Sequence, residues 1–185
     1  MRPTGLAAAA VVLLALGGCV SSLHAPHGGP QRLGRGQCKP GPPLAGVYLP
    51  FRLQVKKDCV TVSGTVDCLR HEDDGDIHIR LRVDPPYRRL LTPASAFQQC
   101  PGHPGPHLVV EIIPQKPDLP FLTNSATLGG FVTPAAPAVG DHITVTGPYV
   151  WDTNALHDLV YRGKNVQNWA EIHPAWNVTV DRRPG

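Results

Sequence analysis

The chain has 185 residues, room for one domain with additional segments. Hydrophobic residues make up 42% and charged residues 17%, enough for one ordinary core. A net charge of +3 is small for a protein that grips nucleic acid through clustered Lys and Arg, so that class starts at a disadvantage.

The N-terminus reads as a targeting segment. Arg2 supplies the positive start, and Leu6 to Leu16 is an apolar stretch of secretory-signal length. It is too short to span a bilayer, which takes about 20 apolar residues. L-G-G-C, Leu16 to Cys19, resembles the lipobox of bacterial lipoproteins. The resemblance implies a signal peptide over 1–18, a diacylglyceryl thioether on Cys19, cleavage before it and acylation of the new N-terminus. The protein would then be anchored to the bacterial cell membrane or outer membrane, facing the extracytoplasmic side. Several acyl chains anchor stably where one alone is marginal. The alternative is a plain secretory signal with an incidental cysteine.

Residues 19–45 follow as a Gly/Pro-rich tether carrying the lipid at its first position. Cys38 offers the competing reading for the end of this segment, an extension tied to the domain. With Cys19 assigned, Cys38, Cys59, Cys68 and Cys100 remain. An even number in an exported chain predicts two disulfides, with three connectivities open. Pairing Cys59 with Cys68 is disfavoured, because they bracket an extended run of roughly 30 Å. None of the four has the C-x-x-C spacing of a zinc site.

The domain is expected over 46–182, with alternation of period two dominating it. Val60, Val62, Gly64 and Val66 alternate with Thr61, Ser63, Thr65 and Asp67. Ile77, Ile79, Leu81 and Val83 alternate with Asp76, His78, Arg80 and Arg82. The turn signal E-D-D-G, Glu72 to Gly75, joins these runs into a hairpin. Tyr87 to Gln99 has room for a short helix or turn. Leu108 to Ile113 is a short buried strand, and 118–138 is Pro- and Ala-rich and irregular. Gly140 to Gly147 is a fourth strand, which Gly147-Pro148 would interrupt. Trp169 to Val180 is the fifth. Five strands with long connections predict a mainly β fold, a small five-stranded OB-like barrel, with Gly64 bending the first strand around a corner.

The motifs D-G-D-I-H-I-R-L, V-V-E-I-I, V-G-D-H-I-T-V-T-G-P-Y-V-W-D and W-A-E-I-H-P-A-W together resemble a group of bacterial exported proteins with an OB-like barrel. The resemblance covers roughly Cys59 to Val180 and implies the fold and an extracytoplasmic location, without an activity. It implies Asp76, His78, Glu111, Asp152, His157, Glu171 and His173 as recurring positions. The chain departs from that pattern at Asp158 to Asn168, which stands where a shorter link is usual.

Two acid–histidine pairs stand out, Asp76 with His78 and Glu171 with His173. Each has i, i+2 spacing, so on a strand both members share a face. With Ile172 and Trp176 inward, Glu171 and His173 point to the opposite face. Two histidines with carboxylates, Glu111 included, are a ligand set for zinc or another divalent cation. Two plainer readings compete: a polar network whose members satisfy one another, and a solvated outer face. Arg80 lies on the same face, and Trp169 shares parity with Glu171 as a stacking platform. No nucleophile elbow or P-loop is present. Thermonuclease-like enzymes are a comparison at the level of fold alone. The expectation is a monomeric, membrane-anchored binding or accessory module that uses the outer face for an oligosaccharide, a protein or a nucleic acid. The alternative is a metal-dependent hydrolase, of phosphodiesterase type, on the same face.

Overall fold

A computed structural model describes residues 32–73, 75–98, 100–113, 132–153 and 168–185. Among these residues the fold is mainly β: one sheet of six strands with three short 3-10 helices. The strands are β1 (Leu53–His71), β2 (Ile77–Val83), β3 (Leu108–Ile112), β4 (His142–Asp152), β5 (Trp169–Ile172) and β6 (Asn177–Arg182). Their order is β1-β2-β3-β5-β4-β6, and β1 also pairs with β4. All pairings are antiparallel except β3 with β5.

The expected hairpin of β1 and β2 is present, with Val66 opposite Leu81 and His71 opposite Ile77. β1 is much longer than its alternating core, because its two ends serve different neighbours. Leu53 to Thr65 runs beside β4, and Gly64 to His71 runs beside β2. Gly64 belongs to both ladders, facing Val83 and Ile143. A Cβ there would lie 2.5 Å from the Arg82 carbonyl oxygen, so the crossover requires glycine.

The expected fifth strand is two. β5 ends at Ile172 and β6 begins at Asn177, with a cis peptide between His173 and Pro174. β4, by contrast, runs straight through Gly147-Pro148. A proline cannot donate to a ladder, and here none is asked of it. On one side β4 changes partner from β6 to β5 between Thr146 and Tyr149. On the other side β1 shifts register between Lys57 and Val60. Gly147 lets the β5–β6 connection cross closely, since a Cβ would lie 2.5 Å from the Pro174 carbonyl oxygen.

Val62, Val66, Ile79, Leu81, Leu108, Val110, Ile143, Val145 and Ile172 form the main core on the inner face. The segment between β2 and β3 carries 3-10 helices at Pro85–Leu90 and Pro93–Phe97, where a short helix or turn was expected. Tyr149 donates its hydroxyl to the Leu90 carbonyl oxygen at 2.7 Å, which ties the first of them over the core.

The tether expected to reach residue 45 does not extend that far. Leu33 and Ala45 are buried, Asn177 donates to the Leu33 carbonyl oxygen, and Arg35 pairs with Asp181 at 2.8 Å. Cys38 bonds Cys59, and Cys68 bonds Cys100, each with Cα atoms 5.9 Å apart. The Cys38–Cys59 bond ties the end of this segment to β1, in keeping with the alternative reading of an extension held by Cys38. Cys59 and Cys68 both lie on β1 and are not joined to each other. Cys19 and the signal segment, most of 118–138, and His157 lie outside the described residues.

Candidate functional site

The two acid–histidine pairs meet, and Glu111 joins them. His78 on β2 lies opposite Glu111 on β3, and Val109 lies opposite Glu171 on β5, so the three strands bring the motifs side by side. His78 Nε2 is 3.1 Å from Glu111 Oε1, and His173 Nδ1 is 2.7 Å from Glu111 Oε2. His173 Nδ1 is also 3.2 Å from Glu171 Oε2. Asp76, His78 and Glu111 form one group whose ligand atoms lie within 4.8 Å of one another, and Glu111, Glu171 and His173 form a second.

A solvated outer face was one of the three readings, and the face is covered instead. His173 is 0% exposed, Glu111 1%, Glu171 2% and Asp76 4%. Ala170 and Ile172 point inward, and Glu171 and His173 point the other way, as parity requires; Trp176, expected inward with Ile172, is buried but lies outside both apolar clusters, because β5 ends at Ile172. What parity does not carry is a second layer. Val47, Leu53, Ile113 and Val150 make a smaller apolar cluster on the outer face, with Leu44 and Val55 against it. Residues just before β1 therefore pack against Val150 on β4, opposite Glu171, and against Ile113 at the end of β3, beside the strands that carry the acid–histidine pairs. The 3-10 turn Pro50–Arg52 ends there, and Arg52 Nη1 reaches Asp152 Oδ2 at 3.0 Å. Asp152 is thus at the same site, and half-buried Trp169 faces it across the ladder.

Buried charge demands compensation. Burial alone would depress the Arg52 guanidinium, but Asp152, Glu111, Glu171 and Asp76 raise it above its ordinary value. Arg80 is lowered, burial outweighing Glu171 and Glu111. Among the described residues, four carboxyls stand against these two cations: Asp76, Glu111, Asp152 and Glu171. With neutral histidines an excess of two negative charges is left.

In the absence of any other ion, protons fill the gap. Burial pushes Glu171 up, the neighbouring Glu111 adds to it, and the group rises to about 8. For His173 burial works against the charged ring, but Glu111 and Glu171 prevail and raise it to about 10. Glu111 also resists ionisation through burial, yet His173, His78 and Arg52 bring it down to about 2. His78 is lowered by burial despite Glu111 and Glu72.

Hydrogen bonding stays incomplete. The single N–H at His173 Nδ1 is aligned with Glu171. Glu111 Oε2 is closer, but it has no aligned donor among the described residues. His173 Nε2 is likewise buried without a hydrogen-bond partner among them. Orphaned polar atoms in a buried cluster call for an explanation, an ion among them.

Arg52 was not anticipated from the sequence. It precedes the first alternating run, in L-P-F-R, and nothing in that string reveals that it folds back. A second buried carboxylate was also missed. Asp67 on β1 is held by Arg82 and by His107. No family model matches the chain, and neither a curated protein nor a solved structure does.

Proposed function

We propose that the protein is an exported, lipid-anchored binding or accessory module of the cell surface whose covered face holds a divalent cation. The observation that carries this reading is the convergence of Glu111, Glu171 and His173, whose ligand atoms lie within 4.8 Å of one another in the covered layer. One divalent cation would take the place of the two protons that Glu171 and His173 hold without it. Histidine with carboxylates suits zinc, with manganese as a harder alternative. In this arrangement Glu111, Glu171 and His173 are the ligands, Arg52 and Arg80 balance the remaining carboxyls, and His78 orients Glu111 from the other side.

Export is supported by the two disulfides, since such bonds persist in oxidising compartments. The lipid anchor rests on the lipobox resemblance at Cys19. The pairings run from β1 through β2, β3, β5 and β4 back to β1, which supports a small closed barrel of the OB type.

A metal-dependent hydrolase is the second reading, and one observation favours it. Asp76, His78 and Glu111 form a ligand set at the edge of the cluster, where the His78 side chain is 20% exposed. A cation there would reach solvent and keep a position for an activated water.

The test is elemental analysis of the full chain, purified in detergent without chelator or affinity metal. Near-stoichiometric zinc or manganese, lost in Glu111→Gln and His173→Gln, is the expected result. No bound metal, with no thermal shift on adding Zn²⁺ or Mn²⁺ to chelated and dialysed protein, removes the cation reading. Separately, Cys19→Ser should move the protein from the membrane fraction to the soluble one; continued membrane association would remove the anchor.

A further inference from the structure

A cavity of about 330 Å³ lies away from the Glu111 cluster, lined by Arg82, Val83, Arg88, Leu91, His107 and the Pro104–Pro106 loop. Its walls are largely apolar, and its charged groups carry one sign. Arg82 is the fixed point. Its Nε lies 3.0 and 3.2 Å from the two Asp67 oxygens, and its Nη2 lies 3.2 Å from Oδ1. Asp67 is 3% exposed, and His107 Nε2 braces it at 2.9 Å. His107 is itself fixed through Nδ1, 2.6 Å from the Gln98 carbonyl oxygen.

A guanidinium has five donors on a rigid plane. Asp67 occupies the Nε side of the Arg82 fork. The opposite edge, formed by Nη1 and the second N–H of Nη2, has no partner among the described residues. That edge is the one suited to a bidentate contact with a carboxylate or phosphate. The Arg82 side chain is 59% exposed, so the edge is accessible. Arg88 adds a second exposed cation with no carboxylate against it among the described residues. Gly105, at φ 130°, takes a backbone conformation that a side chain would not tolerate, which keeps that wall low. Concave apolar walls with a few fixed polar groups are the usual form of a small-ligand site.

We infer that this cavity binds a small organic anion, its carboxylate or phosphate on Arg82 and Arg88 and its apolar body against Val83, Leu91, Pro104 and Pro106. The site is independent of the cation reading, because it shares no residue with the Glu111 cluster.

Isothermal titration of the full chain with phenyl phosphate, benzoate, inorganic phosphate and neutral benzamide tests it. The expected result is saturable binding of phenyl phosphate or benzoate, with benzamide silent and inorganic phosphate weaker. Which of the two organic anions binds more tightly distinguishes a phosphate from a carboxylate ligand. Arg88→Glu should weaken binding about tenfold or more, the size expected for loss of a charge-assisted contact. Its melting curve should stay that of the wild type, since Arg88 is exposed. Arg82→Lys keeps the charge but loses the fork, and should weaken binding while retaining Asp67 as partner. The Gly105 amide should shift on titration. The inference is overturned if neither organic anion saturates, if benzamide binds equally, if inorganic phosphate binds as tightly as phenyl phosphate, or if Arg88→Glu binds undiminished.

Discussion

Asp67 and Glu111 are both buried carboxylates on the outer face of the sheet, and they are resolved in opposite ways. Asp67 is a single acid among donors: Arg82 and His107 donate to it, and His103 stands 3.5 Å away. Burial opposes its charge, but Arg82 and His107 outweigh burial and hold it below the ordinary carboxylate range. Glu111 shares its site with a second acid, Glu171, and one histidine nitrogen stands between them. One of these acids is ionised only at the other's expense. A buried carboxylate with surplus donors is a finished structural element; two carboxylates that share one histidine nitrogen are the arrangement that the proposed cation would complete.

The largest expected effect falls on the Asp67 side. Cys68 adjoins Asp67, and its bond to Cys100 closes a loop with a sequence separation of 32. Replacing both cysteines by serine should cost about 3–4 kcal/mol by loop-closure entropy. Urea melts give the loss directly. Metal content should be unchanged, because the Glu111 cluster lies on other strands; if the variant also lost its cation, the two regions would not be independent. Next is Asp67→Asn, which keeps the shape but removes the charge that Arg82 and His107 share. About 1.5–3 kcal/mol is expected, the range for hydrogen bonds to a charged group. A loss under 0.5 kcal/mol would place Asp67 in the same class as Glu171.

Much of this was legible in the sequence, and the limits have physical causes. Period-two alternation located Val60–Val66, Ile77–Val83 and the core of β4, because each has one face on the main core. Spacing put Asp76 beside His78 and Glu171 beside His173 on the correct face. Burial of that face was not legible, since it depends on the segment around Val47 and Arg52, remote in sequence and without any period of its own. The split of the fifth strand was hidden for a related reason: Pro174 breaks the ladder where β4 changes partner, a fact of pairing and not of composition. Gly147-Pro148 misled in the opposite direction, since a proline needs no ladder partner where its neighbours have bulged or ended. Asp67 read as one more polar residue of an alternating strand, and its partner His107 lies in a stretch with no motif.

The two regions should also respond to opposite ends of the pH scale in metal-free protein. Asp67 is lowered, so its contribution is present above the ordinary carboxylate pKa and is lost as pH falls through its folded value. Glu171 and His173 are raised, to about 8 and about 10. Their contributions are full below about 4.5 for the glutamate and 6.5 for the histidine, the ordinary values, and fade as pH rises through the folded ones. Thermal melts of chelated wild type, Asp67→Asn and His173→Gln across pH 3–10 separate them. The deficit of Asp67→Asn should shrink toward acid, and that of His173→Gln should shrink toward alkali. Parallel curves for the two variants would mean that both sites are the same kind of ion pair.

The smallest stability effect belongs to Glu171→Gln, and it sharpens the contrast most. Asparagine at 67 removes a charge that the folded protein uses. Glutamine at 171 imitates the protonated acid that the metal-free protein already holds at neutral pH, with Glu171 raised to about 8. Its cost in chelated protein should therefore be under about 1 kcal/mol, within the range of ordinary substitutions. An amide is a much poorer cation ligand than a carboxylate, so the same variant should lose the bound metal and the thermal shift on adding Zn²⁺ or Mn²⁺. A large loss of stability with the metal retained would reverse the assignment: Glu171 would then be an ionised member of a closed polar network, as Asp67 is, and the cation would have to sit at Asp76, His78 and Glu111.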